Sequence, residues 1–312
     1  MSDNNTPSEP ADTPERRCGF VAIIGPTNAG KSTLVNALVG AKVAIVSHKV
    51  QTTRAPIRGI AMEGNSQIVF IDTAGIFSPK RRLDRAMVDA AWGGLEDADT
   101  VLLVLDAAAS IGDDFHGIVE RLKAARMPKI AVLNKIDRVD DKPKLLTLAK
   151  TLDEQLSPHR VFMISATEGQ GIKDLRTYLA GLVPVGPWHY SEDDVTDVPM
   201  RTQAAEMTRE SVYRFLHQEL PYTTTVETTD WKTLKDGSAR VEQMIFVERD
   251  SQKKIVLGKG GETIKKISTQ ARRSIEEMAG HRVHLFLFVK VRENWESDPE
   301  RYREMGLPFP KS

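Results

Sequence analysis

The chain of 312 residues has a single cysteine, Cys18, which excludes an internal disulfide and suits a reducing cytoplasm. No apolar run approaches the roughly 18 residues needed to span a bilayer. Neither sign of charge prevails, since 43 Lys and Arg balance 43 Asp and Glu. A surface for a polyanion must therefore come from local clustering. Met1 to Glu15 are polar and acidic and lack a basic n-region and an apolar h-region. Residues 1–16 are thus expected to be a disordered tail and not a signal peptide. Internal repeats are also missing, and the length suits two domains.

What is present first is an alternation. The short apolar runs Phe20–Ile24, Ile57–Met62, Ile68–Ile71, Val101–Leu105, Ile130–Leu133 and Val161–Ile164 alternate with helical spacing over Leu83–Leu95, Phe115–Ala125, Pro143–Leu156 and Ile172–Leu182. Runs that are apolar throughout suit strands covered by helices on both faces. An α/β domain with a mostly parallel sheet is expected over residues 17–183. Residues 184–199, where Pro184, Gly186, Pro187 and Pro199 flank Glu192-Asp193-Asp194, read as a linker. Over 200–294 the order becomes α-β-β-α-β, a small α+β domain. Val212, Phe215 and Leu216 stripe its first helix, Tyr222–Trp231 and Ala239–Val247 are strands about a Lys235-Asp236-Gly237 turn, Ile264, Ile267 and Ile275 stripe the second helix, and Val283 to Val291 alternate. Residues 295–312 are expected to be a C-terminal tail.

The first run leads into Gly25-Pro26-Thr27-Asn28-Ala29-Gly30-Lys31-Ser32, the phosphate-loop spacing G-x-x-x-x-G-K-[ST]. Backbone N–H groups of such a loop converge on phosphate oxygens, Lys31 reaches the β- and γ-phosphates, and the Ser32 hydroxyl coordinates Mg²⁺. The helix opening at Ser32-Thr33 adds its N-terminal dipole. Asp72-Thr73-Ala74-Gly75 follows the third run. There Asp72 is expected to hold Mg²⁺, and the Gly75 N–H to meet the γ-phosphate. Asn134-Lys135-Ile136-Asp137 follows the fifth run. A carboxylate at Asp137 accepts the paired N1–H and N2–H₂ donors of guanine, while Asn134 positions the loop and the Lys135 stem lies along the base. Ser165-Ala166 completes that pocket. In Gln51-Thr52-Thr53-Arg54 a hydroxyl is expected to join the Mg²⁺ shell as part of a switch segment. Thr52 and Thr53 are both eligible, and Thr53 is favoured.

In the second domain Gly258-Lys259-Gly260-Gly261 is a G-x-x-G loop opening a helix, the arrangement of a KH fold for single-stranded nucleic acid. Around it stand Lys253, Lys254, Lys259, Lys265 and Lys266, a local basic footprint in a neutral chain.

These motifs together resemble a translation-factor-like GTPase. The residue after D-x-x-G is Ile76, so the chain is similar to GTPases with a hydrophobic residue where others orient water with Gln. In that group an Asn at the fourth phosphate-loop position, here Asn28, goes with K⁺-stimulated hydrolysis. Lys31, Asn28 and Gly75 are the catalytic candidates. One GTPase domain followed by a KH domain, with Gln51-Thr52-Thr53-Arg54, Glu219-Leu220-Pro221-Tyr222 and Gln252-Lys253-Lys254, resembles the Era family. The resemblance implies GTP/GDP and Mg²⁺ as ligands, with K⁺ a further candidate. It also implies binding near the 3′ end of small-subunit ribosomal RNA and a role in small ribosomal subunit assembly. A cytoplasmic monomer is expected, associated in some members with the inner membrane. Two alternatives stand beside it: another hydrophobic-substituted GTPase acting on RNA, and an RNA-binding module with a vestigial GTPase domain.

Overall fold

The six apolar runs pair into one sheet in the order β2-β3-β1-β4-β5-β6, built from β1 (Arg17–Ile24), β2 (Ile57–Glu63), β3 (Ser66–Asp72), β4 (Thr100–Asp106), β5 (Lys129–Asn134) and β6 (Arg160–Met163). The computed structural model describes residues 15–310 except 50, 218, 219, 294, 296 and 297, so most of the expected N-terminal tail lies outside the described residues. All neighbours run parallel except the edge strand β2, which is antiparallel to β3. Helices α1 (Lys31–Val39) and α5 (Ile172–Leu182) pack on one face. Helices α2 (Arg82–Gly93), α3 (Asp113–Ala124) and α4 (Lys142–Leu156) pack on the other. Every residue of β3 is buried, which explains its unbroken apolar run. Because β1, β3, β5 and β6 are parallel, the loops after them emerge at one edge of the sheet. Ligands of open α/β sheets bind at that edge.

The second unit comprises α6 (Met200–Phe215), β7 (Thr225–Thr233), β8 (Ala239–Val247), α7 (Asp250–Leu257), α8 (Glu262–Ala279) and β9 (Val283–Val291). Its sheet runs β7-β8-β9, with β8 antiparallel to β7 and parallel to β9. Val212, Ile245, Val256 and Ile267 share one core cluster, and Met207, Val241, Ile275 and Val283 another. The expected α-β-β-α-β order omits α7. That helix buries only Val256, so its sequence carries no apolar stripe to read.

Two connections hold more structure than their composition suggests. Residues 184–199 lie along the first sheet: the Cys18 N–H donates to the Pro184 carbonyl at 3.0 Å and the Ile60 N–H to that of Val195 at 2.9 Å. The residues expected as a tail from 295 onward are also packed. They carry a short helix, α9 (Pro299–Glu304), and bury Trp295, Tyr302 and Leu307 in the same cluster as Leu83 and Ala86 of α2. Three apolar anchors among that many polar residues set no period, so only the packing shows them.

Candidate functional site

The loop between β1 and α1 is a tight turn held by its own residues. Gly30 has φ +90°, and a Cβ there would overlap the Asn134 side-chain amide, so both backbone angle and space call for glycine. Lys31 is 6 % exposed and folds over the loop, donating to the carbonyl oxygens of Gly25 at 3.1 Å and Pro26 at 2.8 Å. Burial lowers its pKa to about 8, against the raising influence of Asp72. The Ile76 N–H donates to the Gly25 carbonyl at 3.0 Å, which binds the D-x-x-G segment to the phosphate loop. Gly75 packs on Thr27 closely enough that a Cβ would lie 2.7 Å from the Thr27 Cα. The Thr73 hydroxyl turns inward to the Ile23 carbonyl at 2.6 Å and braces the end of β1.

Three oxygen ligands converge beside Lys31. The Ser32 hydroxyl donates to Asp72 Oδ2 at 2.8 Å and lies 2.8 Å from Thr53 Oγ1, which also donates to Asp72 Oδ2 at 3.2 Å. Asp72 is fully buried, its Oδ1 has no hydrogen-bond partner, and burial raises its pKa to about 6. A buried carboxylate oxygen without a partner, next to two hydroxyls, is a donor set suited to a hard divalent cation. Of the two threonines, Thr53 reaches this cluster, whereas Thr52 Oγ1 donates to the Lys49 carbonyl at 2.9 Å. Thr27, Asn28, Gly30 to Thr33, Ser47, Thr53 and Gly75 line one cavity, which brings the expected switch segment onto the phosphate loop. Asn28 itself has φ +60°.

The loop after β5 is tied to the same region. Asn134 is 2 % exposed; its amide donates to the Ala29 carbonyl at 3.0 Å and its Oδ1 accepts from the Ala166 N–H at 3.1 Å. One side chain thus joins the phosphate loop to the Ser165-Ala166 turn. Lys135 donates to the Asn28 carbonyl at 2.5 Å and pairs with Asp106 at 2.7 Å. The Asp137 carboxylate is 29 % exposed, with Arg138 3.9 Å away as its ion-pair partner. Ser165 is buried, and its hydroxyl accepts from the Glu168 N–H at 3.2 Å.

Sequence reasoning missed how Lys49 and residues 51–54 are held. Arg209 on α6 donates to the Thr52 carbonyl at 2.6 Å, and Tyr213 to that of Gln51 at 3.4 Å. Arg54 is 6 % exposed and donates to the carbonyl oxygens of Tyr222 and Thr224 at 3.1 and 3.0 Å. Lys49 donates to the carbonyl oxygens of Tyr213 and Leu216 at the end of α6. The second unit therefore grips the segment that carries Thr53. Only the unusual density of polar residues in Gln51-Thr52-Thr53-Arg54 hinted at it.

In the second unit Gly258, Gly260 and Gly261 have φ of +75°, +61° and +80°, the left-handed region that favours glycine. A Cβ on Gly258 would overlap the Thr263 side chain, whereas Gly260 faces open space. Lys254, Lys259, Lys265 and Lys266 are exposed and Lys253 is half-buried, on α7, the loop and the first turn of α8. Lys266 is partly committed, pairing with Glu262 at 2.6 Å.

Comparison with known proteins follows this division. Residues 20–135 match the 50S ribosome-binding GTPase family, and residues 219–296 match the KH domain family. GTPase Era of Afipia carboxidovorans is 60 % identical over 308 residues, covering 99 % of both chains. GTPase Era of Rhizobium meliloti is 62 % identical over 295 residues, 95 % of this chain and 94 % of the relative. A crystal structure of Era with MgGDPNP and nucleotides 1506–1542 of 16S ribosomal RNA superposes with a TM-score of 0.88 at 34 % identity, covering 93 % of this chain and 99 % of that one. A variant of Aquifex aeolicus Era bound to GDP and AlF4⁻ gives the same TM-score, identity and coverage.

Proposed function

Because the chain belongs to the Era family of GTPases, we propose that it is a GTP-hydrolysing switch that holds 16S ribosomal RNA near its 3′ end through the KH domain, and that it acts in processing of that RNA and assembly of the small ribosomal subunit. The observation that carries this reading is the dual placement of residues 51–54. They bring Thr53 to Ser32 and Asp72, and the second unit holds them through Arg209 and Arg54.

In this reading the phosphates lie along Gly25 to Thr33, and Lys31 leaves its two loop carbonyls to meet them. Ser32, Thr53 and Asp72 hold Mg²⁺, which when bound neutralises charge on the β- and γ-phosphate oxygens. The Gly75 N–H donates to the γ-phosphate. Asp137 accepts from guanine, and Asn134, Lys135, Ser165 and Ala166 shape its pocket. Ile76 has no polar group to orient water. Charge stabilisation therefore falls to Lys31 and the loop N–H groups; the Asn28 amide oxygen with backbone of 47–49 would hold a monovalent cation, K⁺, which would add positive charge there. Asn28, Ser47 and Lys49 line the same cavity, which supports that site.

The RNA backbone presses on Gly258 to Gly261, with Lys253, Lys254, Lys259, Lys265 and Lys266 facing its phosphates. A cytoplasmic monomer belongs to the same proposal. No helix among the described residues is long and apolar enough to cross a membrane; a peripheral association with the inner membrane is part of the same proposal. The test is Gly260→Asp with Gly261→Asp. RNA binding is expected to be lost and GTP hydrolysis without RNA to persist, whereas normal RNA binding by the double variant places the RNA elsewhere.

A further inference from the structure

A second charged cavity lies where the two units meet. It holds about 420 Å³ and is walled on one side by Lys42, His48 and Lys49 and on the other by Arg214 and His217 of α6 and its C-terminal extension, and by Gln270 of α8. Its one carboxylate is already engaged: Glu210 accepts from the Val46 N–H at 2.9 Å and pairs with Lys42 at 2.5 Å. Lys49 is engaged as well, by the carbonyl oxygens at the end of α6. That leaves His48, Arg214 and His217 exposed, and none of the three has a hydrogen-bond or ion-pair partner among the described residues. The cavity therefore presents a guanidinium, two imidazoles and an amide with no anion to receive their N–H groups.

Gln270 places one wall of this cavity on α8, the helix that the glycine loop opens. From Glu262 to Gln270 the helix rises about 12 Å. Lys266, Gln270 and Arg273, spaced four and three apart, share a face. Lys265 and Arg273 make no ion pair among the described residues. We propose that the cavity is a phosphate-binding station for RNA, filled by the backbone of a strand that leaves the Gly258–Gly261 groove along α8. It rests on the RNA reading given above and extends the footprint to the loop that leads into Thr53. A guanidinium with donors on either side suits a phosphate by charge and by paired hydrogen bonds.

The test uses the full chain, Arg214→Gln with His217→Gln, and two RNAs. One is a single strand of about six nucleotides, enough for a groove that reads about four bases. The other is the fragment of 16S ribosomal RNA spanning nucleotides 1506–1542. The double variant should bind the short strand like the wild type and the long fragment at least tenfold more weakly. Its slope of log affinity against log salt should be shallower by about 0.7, for the one phosphate charge on single-stranded RNA that Arg214 neutralises. Equal affinity of variant and wild type for the long fragment overturns the proposal. So does equal weakening for both RNAs with a lowered Tm, which assigns Arg214 and His217 to capping of α6. Inorganic tripolyphosphate that binds the wild type and not the variant, with RNA affinity unchanged, overturns it in favour of a free phosphate. A wild type that binds neither RNA defeats the underlying reading instead.

Discussion

Arg209 of α6 donates to the Thr52 carbonyl at 2.6 Å, one residue before the Thr53 hydroxyl that meets Ser32 and Asp72. The guanidinium is 2 % exposed and paired with Glu206, yet its Nη1 and that of Arg54 make no hydrogen bond. Burying such donors costs about 1–3 kcal/mol each, so the junction is held together and strained at once. It is a place where a bound nucleotide and the second unit act on one segment.

Arg209→Met tests that tie. Losing a hydrogen bond from a charged donor should weaken binding of a Mg²⁺·GTP analogue by about 1.5–3 kcal/mol, because Thr53 is then less well held at the cluster. A fluorescent-nucleotide titration measures it. Unchanged affinity, together with a lowered Tm, would make Arg209 purely architectural.

Asp72 and Lys31 set a pH window. The Asp72 pKa is raised by burial to about 6, so stability associated with its protonated form is full below about 4 and lost as pH rises through 6. Asp72→Asn should therefore leave the nucleotide-free protein about 1–3 kcal/mol more stable at pH 8, an advantage that vanishes toward pH 4. The same variant should lose Mg²⁺-dependent nucleotide binding. In the wild type, binding releases the Asp72 proton and requires the Lys31 proton, held with a pKa of about 8. Affinity should rise through pH 6, fall above pH 8 and be greatest between. Denaturant melts and titrations across pH 4–9 read both effects. A variant less stable than wild type at pH 8 contradicts the assignment.

Asp137→Asn exchanges one acceptor for a donor. Affinity for guanine nucleotides should fall by about 2–4 kcal/mol, and preference should move toward xanthine nucleotides. Competition between the two in one titration decides. Retained preference for guanine locates the base reader elsewhere.

The K⁺ site predicts slow turnover that rises with K⁺ and much less with Na⁺ at matched ionic strength. Asn28→Ala should erase that difference, since it removes the side-chain oxygen from the cavity it shares with Ser47 and Lys49. Single-turnover rates for both proteins in both salts measure this. Equal wild-type rates in the two salts would falsify it.

The phosphate loop, Asp72–Gly75 and Asn134–Asp137 were legible because each is a short run of fixed residue types at a strand end, and the strands were legible as apolar runs. The glycine loop was legible as a short run of fixed residue types that opens a helix. Helix α7 was not, since with Val256 its only buried residue it has no stripe. Trp295, Tyr302 and Leu307 were not, since their partners lie on α2, more than 200 residues earlier in the chain.

By itself, then, the sequence determined the local devices: which loops suit phosphate, base and RNA backbone, and which faces bury. Spacing along the chain is enough for those, because neighbouring residues make them. Tertiary structure alone decided that Thr53 and not Thr52 reaches Asp72. It also decided that Arg209 and Arg54 hold that segment, and that His48 faces Arg214 and His217 across one cavity. The relationships of Arg209, Arg54 and His48 join residues some 150 or more positions apart. They follow from the docking of one folded unit on another, which no local period encodes.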